Sequence, residues 1–375
     1  MQLADVRDIF EISKLYFDVY QGSYPDPLMK DYNRMTAFMN SGSGFWFIAK
    51  DDADQVIASV LTMYEESDYL ARASAAVVRG EYRGQGVMES LLSYAISYIK
   101  KNTKGIDVLY STTRTVNEAA QTLTEKLNFK KLGIFPNVHK TLEYETHCLA
   151  GIIEESAFQK RNHSYLLHHE LKSLFEIVRQ EFHLDPLETI EPLPSSRELI
   201  EPPELEIIKS PRFVNYQFTK LRREKMLKFD FFPFHVPNMM IMSADQSVEL
   251  FSHLSDDGYC VIIGVKLPEN MNFSSLFIMA NRLLRDAGAR YIEIMARADR
   301  PKIIESILRA KFIPCAFFPA FQQIENKRHD FVVFSRSFEL FDFQNVKLKG
   351  LNQVYLEEYF KNWKKLSLNP KLLNL

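Results

Sequence analysis

The sequence predicts an α/β fold with a mixed sheet, present twice in the chain. Short apolar runs of strand length alternate with helical stripes over residues 5–153, and the alternation returns beyond residue 205. The two stretches also share identities at one spacing. Gly105 and Gly288 differ by 183 positions, as do Arg114 and Arg297, Phe129 and Phe312, Phe135 and Phe318, and Pro136 and Pro319. Matches of this kind read as a duplicated domain whose copies have diverged; two unrelated α/β domains with chance matches stay open as the alternative. At about 150 residues per domain, 375 residues hold two cores and their connections.

Taken in order, Asp5 to Tyr20 sets Val6, Ile9, Phe10, Ile12 and Leu15 on a helical stripe. Phe45 to Ala49 reads as a strand, Asp51 to Asp54 as a polar turn, and Val56 to Tyr64 as the return strand of a hairpin. A further strand, from Ala73 to Val78, breaks at Arg79-Gly80 and enters the loop Tyr82-Arg83-Gly84-Gln85-Gly86. The helix that follows carries Val87, Leu91, Leu92, Ala95, Ile96 and Ile99 on one face. Ile106 to Ser111 is a strand and Asn117 to Leu127 a helix. Phe129 to Phe135 and Thr146 to Ile153 are closing strands.

Tyr165 to Phe182 is predicted to be helical. Prolines 186, 192, 194, 202, 203 and 211 then alternate with Glu188, Glu191, Glu198, Glu201, Glu204 and Glu206, the pattern of a semi-rigid linker. Phe273, Leu276, Met279, Ala280, Leu283 and Leu284 form a helical stripe like that of the first half. Leu351, Val354, Tyr355, Tyr359 and Trp363, at roughly helical spacing, predict a docking helix. The expected divisions are a first domain at 1–155, a helix and Pro-rich linker at 156–204, a second copy at 205–340, and a docking helix and tail at 341–375.

Composition excludes several classes of function. Lys and Arg number 46 against 48 Asp and Glu, a net charge of −2, so no basic field for nucleic acid is expected. Cys148, Cys260 and Cys315 are far apart and form no CxxC pair, which predicts neither a disulfide framework nor a metal site. The start, Met1 to Asp8, lacks a basic segment followed by an apolar run, so no signal peptide is expected. Apolar runs such as Phe331-Val332-Val333-Phe334 fall far short of the ~20 residues that span a bilayer. A cytoplasmic chain without membrane or nucleic-acid partners is the expectation. The aromatic share of 13%, with 29 Phe, predicts thick cores or an aromatic-lined cleft.

The chemistry is expected at Val77 to Met88, where a strand feeds a glycine loop that opens a helix. A helix start presents unpaired N–H groups and the positive end of the macrodipole. Gly84 and Gly86 let backbone approach an anion, and Arg83 adds a charged donor, so the segment reads as a pyrophosphate cradle. It is no Walker A loop, since no Lys-Ser or Lys-Thr follows. Nor is it a dinucleotide fingerprint, since Met88 and Glu89 follow Gly84-x-Gly86.

Arg83-Gly84-Gln85-Gly86-Val87-Met88, with Tyr82 in front, resembles the acetyl-CoA motif of the GNAT superfamily of N-acetyltransferases, Q/R-x-x-G-x-G/A. Met88 stands where the family has a small residue. Asn117 to Phe129 is similar to a second family segment, with Asn117 at the residue that contacts the pantetheine arm. Thr124 stands where many members place a tyrosine general acid. The resemblance covers most of residues 1–155, and residues 205–340 in outline. It implies two GNAT-like domains and acetyl-CoA, or another acyl-CoA, as co-substrate without a metal. The coenzyme would be held by Val77, Val78, Arg83, Gly84, Gln85, Gly86, Val87, Met88 and Asn117.

The same resemblance implies direct transfer to an amine of a small molecule or a protein, with the thioester oxygen held by strand N–H groups. A carboxylate or an ordered water must take the amine's proton. Glu65 and Glu66, at the end of the hairpin's return strand, are the carboxylates nearest in sequence; a solvated strand end is the alternative. His139 and His147, flanking Glu143 and Glu145, either line an acceptor pocket or sit on a surface loop. Tyr110, Tyr144 and Cys148 are candidate replacement acids that nothing separates from core residues. His168 and His169 are expected side by side on a helix, pointing apart, against a metal site.

At the spacing of 183, the cradle falls on Lys266-Leu267-Pro268-Glu269 and Asn117 falls on Arg300. Proline deletes a donor and glutamate repels phosphate, so the second copy is expected to have lost the coenzyme. Phe317, Phe318 and Phe321 are expected to offer apolar surface for packing the copies together. The function expected is an acyl-CoA-dependent N-acyltransferase; a non-catalytic acyl-CoA-binding or sensor protein is the alternative. Neither acceptor nor oligomeric state follows from these residues.

Overall fold

The computed structural model describes residues 1–22, 24, 26–140, 143–192 and 199–368. They form an α/β chain of two compact units. One comprises residues 1–113, 118–130 and 149–160, the other residues 114–117, 131–148 and 161–375.

The first unit begins with β1 (Gln2–Leu3), α1 (Ile9–Tyr20), α2 (Tyr32–Ser41), β2 (Gly44–Lys50), β3 (Val56–Glu65) and β4 (Leu70–Val78). Then come α3 (Val87–Asn102), β5 (Val108–Arg114) and α4 (Ala119–Lys126). The strands lie in the order β1-β2-β3-β4-β5, antiparallel except for the parallel pair β4 and β5. Alternation along β2 sends Trp46 and Ile48 to one face and Phe47 and Ala49 to the other. Ile9, Ile12, Leu15 and Tyr16 of α1 and Met35 of α2 cover the first face. Leu91, Leu92, Ala95 and Ile99 of α3 cover the second. Sequence reasoning passed over α2. Asp31, accepting from the Asn33 and Arg34 N–H groups, and left-handed Gly42 are its start and stop signals.

Two long strands follow, β6 (Lys130–Lys140) and β7 (Tyr144–Ile153), then α5 (Glu155–Gln159). β7 is divided, with residues to Cys148 in the second unit and residues from Leu149 in the first.

The second unit continues with β8 (Leu167–His168), α6 (Lys172–Phe182), β9 (Thr189–Ile190), β10 (Leu205–Ile208), α7 (Pro211–Arg223), β11 (Met239–Ser243) and β12 (Glu249–Leu254). It ends with β13 (Tyr259–Lys266), α8 (Phe273–Asp286), β14 (Tyr291–Arg297), α9 (Pro301–Arg309), β15 (Ile313–Ile324), β16 (Lys327–Ser337) and α10 (Leu351–Leu368). Its strand order is β7-β6-β15-β16-β14-β13-β12-β11-β10, with β13 and β14 parallel. β6 meets β15 at Gly133↔Ala316. A Cβ at Gly133 would lie 2.3 Å from the Cys315 carbonyl oxygen, so only glycine permits the approach.

Several expectations need correction here. The helix begins at Lys172, not Tyr165, because Leu167 and His168 pair with Thr189 and Ile190 in a small parallel sheet. Pro194 and Glu198 of the Pro-rich stretch lie outside the described residues. Its described part is tied down: Ile200 bonds with Asn270 and Asn272, and Leu205–Ile208 pair with β11. Phe317, Phe318 and Phe321 offer no surface. They are core residues, packed on Phe175, Phe231 and Phe331 within their own unit. On α10 the buried stripe is Asn352, Tyr355, Tyr359, Asn362 and Leu366, which leaves Val354 and Trp363 on the outer side. Among the described residues, no helix is long and apolar enough to cross a membrane.

A buried ion pair fixes the entry of the chain into the second unit. Arg161 meets Asp330 through Nε–Oδ1 at 2.9 Å and Nη2–Oδ2 at 2.6 Å. The Tyr165 hydroxyl and the Ala320 N–H also donate to that carboxylate. Removing one partner of such a pair leaves an uncompensated buried charge. Arg161→Met is expected to lower unfolding stability by roughly 3–5 kcal/mol, read from urea denaturation.

Candidate functional site

β4 loses one neighbour halfway along. Its parallel register with β5 runs from Leu70↔Val108 to Ala73↔Ser111 and stops there, while β4 continues to Val78 beside β3. A bulge accompanies the change. Register jumps from Leu61↔Ser74 to Ser59↔Val77, so Ala75 and Ala76 oppose Val60 alone. Ala75 has φ of +54°, a left-handed conformation unusual for alanine. The Tyr16 hydroxyl of α1 donates to its carbonyl. Burial pushes the Tyr16 phenol well above its ordinary value, so it remains a donor. Tyr16 and Ala75 were missed by sequence reasoning because nothing in an Ala-Ala step announces a bulge.

The turn beyond Val78 is held from behind. Arg79 donates Nε to the Val56 carbonyl at 3.0 Å and Nη1 to Asp18 at 2.8 Å. The Tyr82 hydroxyl reaches Asp51 at 3.0 Å, and the Gln85 amide donates to the Glu81 carbonyl at 2.8 Å. Among the described residues Arg83 donates through Nε alone, to the Val78 carbonyl at 3.2 Å, and its guanidinium is exposed. Gly86 forms the N-cap of α3 at φ +77°, and no side chain caps the helix. Among the described residues, the N–H groups from Gly84 to Glu89 have no partner. A Cβ at Gly84 or Gly86 would meet nothing within 4 Å, so the space before these donors is open. Backbone donors, a helix N-terminus and one exposed guanidinium therefore converge on an open turn, which is the chemistry of an anion site.

Val77, Val78, Arg83, Gly84, Gln85, Gly86, Val87 and Met88 are thus brought together on one strand end and turn. Asn117 lies in the connection between β5 and α4 and is grouped with the second unit. Glu65 and Glu66 lie at the other end of the hairpin. Glu65 pairs across with Leu70, whereas Ala58 pairs with Val78. Seven residues of strand put about 23 Å between the two ends. Both carboxylates are exposed, Glu65 accepting from Ser67 and Glu66 pairing with Lys104 Nζ at 3.1 Å. Thr124 is buried on α4, its hydroxyl donating to the Gln121 carbonyl at 2.8 Å. Tyr110 is buried. Burial raises the Cys148 thiol to about 12.

His168 and His169 are not on a helix. His168 ends β8 and His169 starts a 3₁₀ turn; the rings stack at 4.7 Å, and His168 Nε2 meets Glu305 at 2.9 Å. Among the described residues no group of three or more His, Cys, Asp or Glu could hold a metal.

His139 and His147 belong to a polar cluster of the second unit. His139 Nδ1 lies 2.7 Å from Asp257, its ring 5.1 Å from that of His147 and 5.0 Å from Tyr259. Arg114 grips Glu145 through Nε at 2.7 Å and Nη2 at 2.5 Å, and His147 Nε2 lies 3.4 Å from the same carboxylate. Tyr144 donates to Glu339. Burial lowers His147 to about 4, against the pull of Glu145. Burial raises Glu145, but hydrogen bonds from His147 and Arg114 outweigh it and bring the carboxyl to about 2. For the histidine, the unfolded chain takes up a proton below about pH 6.5 while the folded chain does not until about pH 4. Stability is therefore expected to fall on acidification from pH 6.5 to 4, by on the order of 2–3 kcal/mol. His147→Gln should flatten the urea midpoint over that interval.

Residues 7–129 match the model of the "Acetyltransferase (GNAT) family". No curated protein matches the chain. Solved structures include an N-acetyltransferase from Staphylococcus aureus Mu50, at 20% identity over 40% of this chain and 96% of that one, with a TM-score of 0.36. A ribosomal-protein-S5-alanine acetyltransferase from Vibrio fischeri aligns at 15% identity over 41% and 92%, TM-score 0.36. A phosphinothricin acetyltransferase from Sinorhizobium meliloti, solved in complex with AcCoA, aligns at 16% identity over 40% and 86%, TM-score 0.36. Residues 7–129, which hold the parted strand, the glycine turn and the open start of α3, thus match the GNAT acetyltransferases in sequence.

Proposed function

We propose that the chain is an acyl-CoA-dependent N-acyltransferase that moves an acetyl group, or a longer acyl group, to a primary amine of a small molecule or protein. The observation that carries this reading is the unpaired edge of β4 leading straight into the uncapped N-terminus of α3. N–H groups from Gly84 to Glu89 and the Arg83 guanidinium suit the pyrophosphate of a coenzyme A. Beyond Ala73 the edge of β4 away from β3 offers the backbone groups of alternate residues, Val78 among them, to the amides of the pantetheine arm and a donor to the thioester oxygen. In the transfer, the amine nitrogen bonds to the acyl carbon and the carbon–sulfur bond breaks. The coenzyme leaves as a thiol with the proton that the amine gives up. We assign that proton's first transfer to ordered water, because Glu65 and Glu66 stand at the far end of the hairpin.

We read the second unit's β10–β16 as a diverged copy of β1–β7. Its order, β10-β11-β12-β13-β14-β16-β15, repeats β1-β2-β3-β4-β5-β7-β6, and its parallel pair also stops halfway, at Ile262↔Ile294. Two features support loss of the coenzyme there. Asn272 caps α8 with its own side chain, accepting from the Ser274 and Ser275 N–H groups. The β13 edge away from β12 is filled by the chain itself: Val265 donates to the Phe229 carbonyl at 3.1 Å and accepts from Lys228 N–H at 2.7 Å. The divisions at 1–155, 156–204, 205–340 and 341–375 are retained in this proposal as units of duplication, and a cytoplasmic setting goes with them.

A second reading, a non-catalytic acyl-CoA sensor, is favoured by one observation. The Thr124 hydroxyl is buried and committed to the Gln121 carbonyl, so this position offers no acid.

Calorimetry is expected to give one acetyl-CoA site per chain; two equivalent sites, or none, would contradict the proposal. Gly86→Glu should abolish binding in a folded protein, because its carboxylate enters the anion position and its Cβ the left-handed region. Coenzyme A release with a panel of amines separates the enzyme from the sensor, which would bind without turnover. A fragment of residues 1–155 is expected to be poorly soluble, or to bind acetyl-CoA without acceptor turnover, since it leaves residues 131–148 without β15. A soluble, monomeric, fully active fragment would overturn the role given to the second copy.

A further inference from the structure

The second unit holds a cavity of about 230 Å³ between the start of β15, the end of β16 and α10. Two cations face it, Lys311 and Arg336, with Ser337 beside them and the rings of Phe341, Tyr359 and Trp363 as walls. Phe341 stands edge-on to Tyr359 at 5.8 Å and to Trp363 at 6.1 Å. No Asp or Glu lines the cavity. Lys311 and Arg336 make no ion pair with a carboxylate among the described residues. Lys311 Nζ donates to the Leu366 carbonyl at 2.8 Å, and Arg336 Nη1 donates to the Ala310 carbonyl. Both carbonyls close helix ends, which accounts for one donor on each side chain. An ammonium has three donors and a guanidinium five, so most remain unspent.

Among the described residues no carboxylate balances this charge; the Arg336 guanidinium lies 5.3 Å from the centre of the Phe338 ring, and an aromatic face neutralises none of its charge. Burial lowers the affinity of Arg336 for its proton, and Arg285 and Arg282 lower it further. Burial lowers Lys311 as well, and Arg336 adds to the effect. Two part-buried cations under mutual repulsion gain from any anion placed between them. Charge-assisted bonds from the fork of an arginine favour carboxylate and phosphate oxygens. The aromatic walls favour a flat apolar body behind that head. The volume lies below the roughly 300–1,000 Å³ of sites for drug-sized ligands, so the occupant is small.

We propose that this half-open cavity binds a small organic anion, a carboxylate or phosphate carried on a planar apolar ring, held by Lys311 and Arg336 and flanked by Tyr359, Phe341 and the part-exposed Trp363. None of its lining residues belongs to the glycine turn.

The test uses the full chain and four probes: benzoate, phenyl phosphate, inorganic phosphate and benzylamine. Saturable binding of benzoate or phenyl phosphate is expected in calorimetry, with a change in tryptophan fluorescence, since Trp46 is the only other tryptophan. Which of the two binds tighter decides between carboxylate and phosphate as the natural head. Lys311→Met and Arg336→Gln should each weaken that binding about tenfold or more. Trp363→Ala, which leaves both carbonyl caps intact, should weaken it and remove the fluorescence change. Acetyl-CoA affinity should be unaltered in all three variants. Equal binding of benzylamine, equal binding of bare inorganic phosphate, or no saturable binding of benzoate and phenyl phosphate would overturn the proposal. So would unchanged affinity in the variants.

Discussion

Beyond Ala73, β4 keeps β3 and gives up β5, and a buried tyrosine hydroxyl holds it to that choice. An alanine at positive φ is costly on its own, and Tyr16 offsets the cost by binding the carbonyl that the bulge turns toward α1. The extra residue reverses which backbone groups face which neighbour along the rest of β4. Backbone polar groups that lose a strand must find water, a ligand or another segment. The glycine turn and the uncapped helix matter because they continue that edge. Removing the bulge would leave the glycine turn with no open strand edge leading into it.

How much of this could be read from residues follows from what each feature needs. The hairpin and α3 were legible because each is covered by apolar residues at its own period, such as Phe47 and Ala49 against Leu91, Ala95 and Ile99. The turn was legible because left-handed backbone at Gly84 and Gly86 selects glycine. The bulge was not, since Ala75 and Ala76 are chemically ordinary and the deciding partner, Tyr16, is far away in sequence. α2 is short, with Met35 alone fully buried, and only its caps mark it. Nothing local marks His168 as a strand residue, because β8 takes its partner, Thr189–Ile190, from beyond α6.

Charge was a poor guide to the site, and the structure shows why. The donors of the turn are almost all backbone, and only Arg83 adds a formal charge. A chain with net charge near zero can thus gather backbone donors at one turn without composition revealing it. Conversely, Glu65 and Glu66 were conspicuous in sequence and are surface groups that cap a turn and pair with a lysine. The residues that count most, Tyr16 and Arg79, are buried polar groups whose work is to hold backbone in place.

On the proposed reading of β10–β16 as a diverged copy, the segment around Phe229 does more than accompany the loss of a few side chains. Its main chain is tethered beside β13, directly after α7, and its ring packs 6.3 Å from Phe277 of α8. A short tether presents its occupant at an effective concentration in the millimolar range. A free ligand present at micromolar concentration would face a competitor about a thousandfold more abundant. Restoring glycines to the turn at Lys266–Glu269 would therefore not reopen that cleft. Only a change that loosens the tether, lengthening the run between α7 and Phe229 or unseating the ring from α8, would make the vacancy available again.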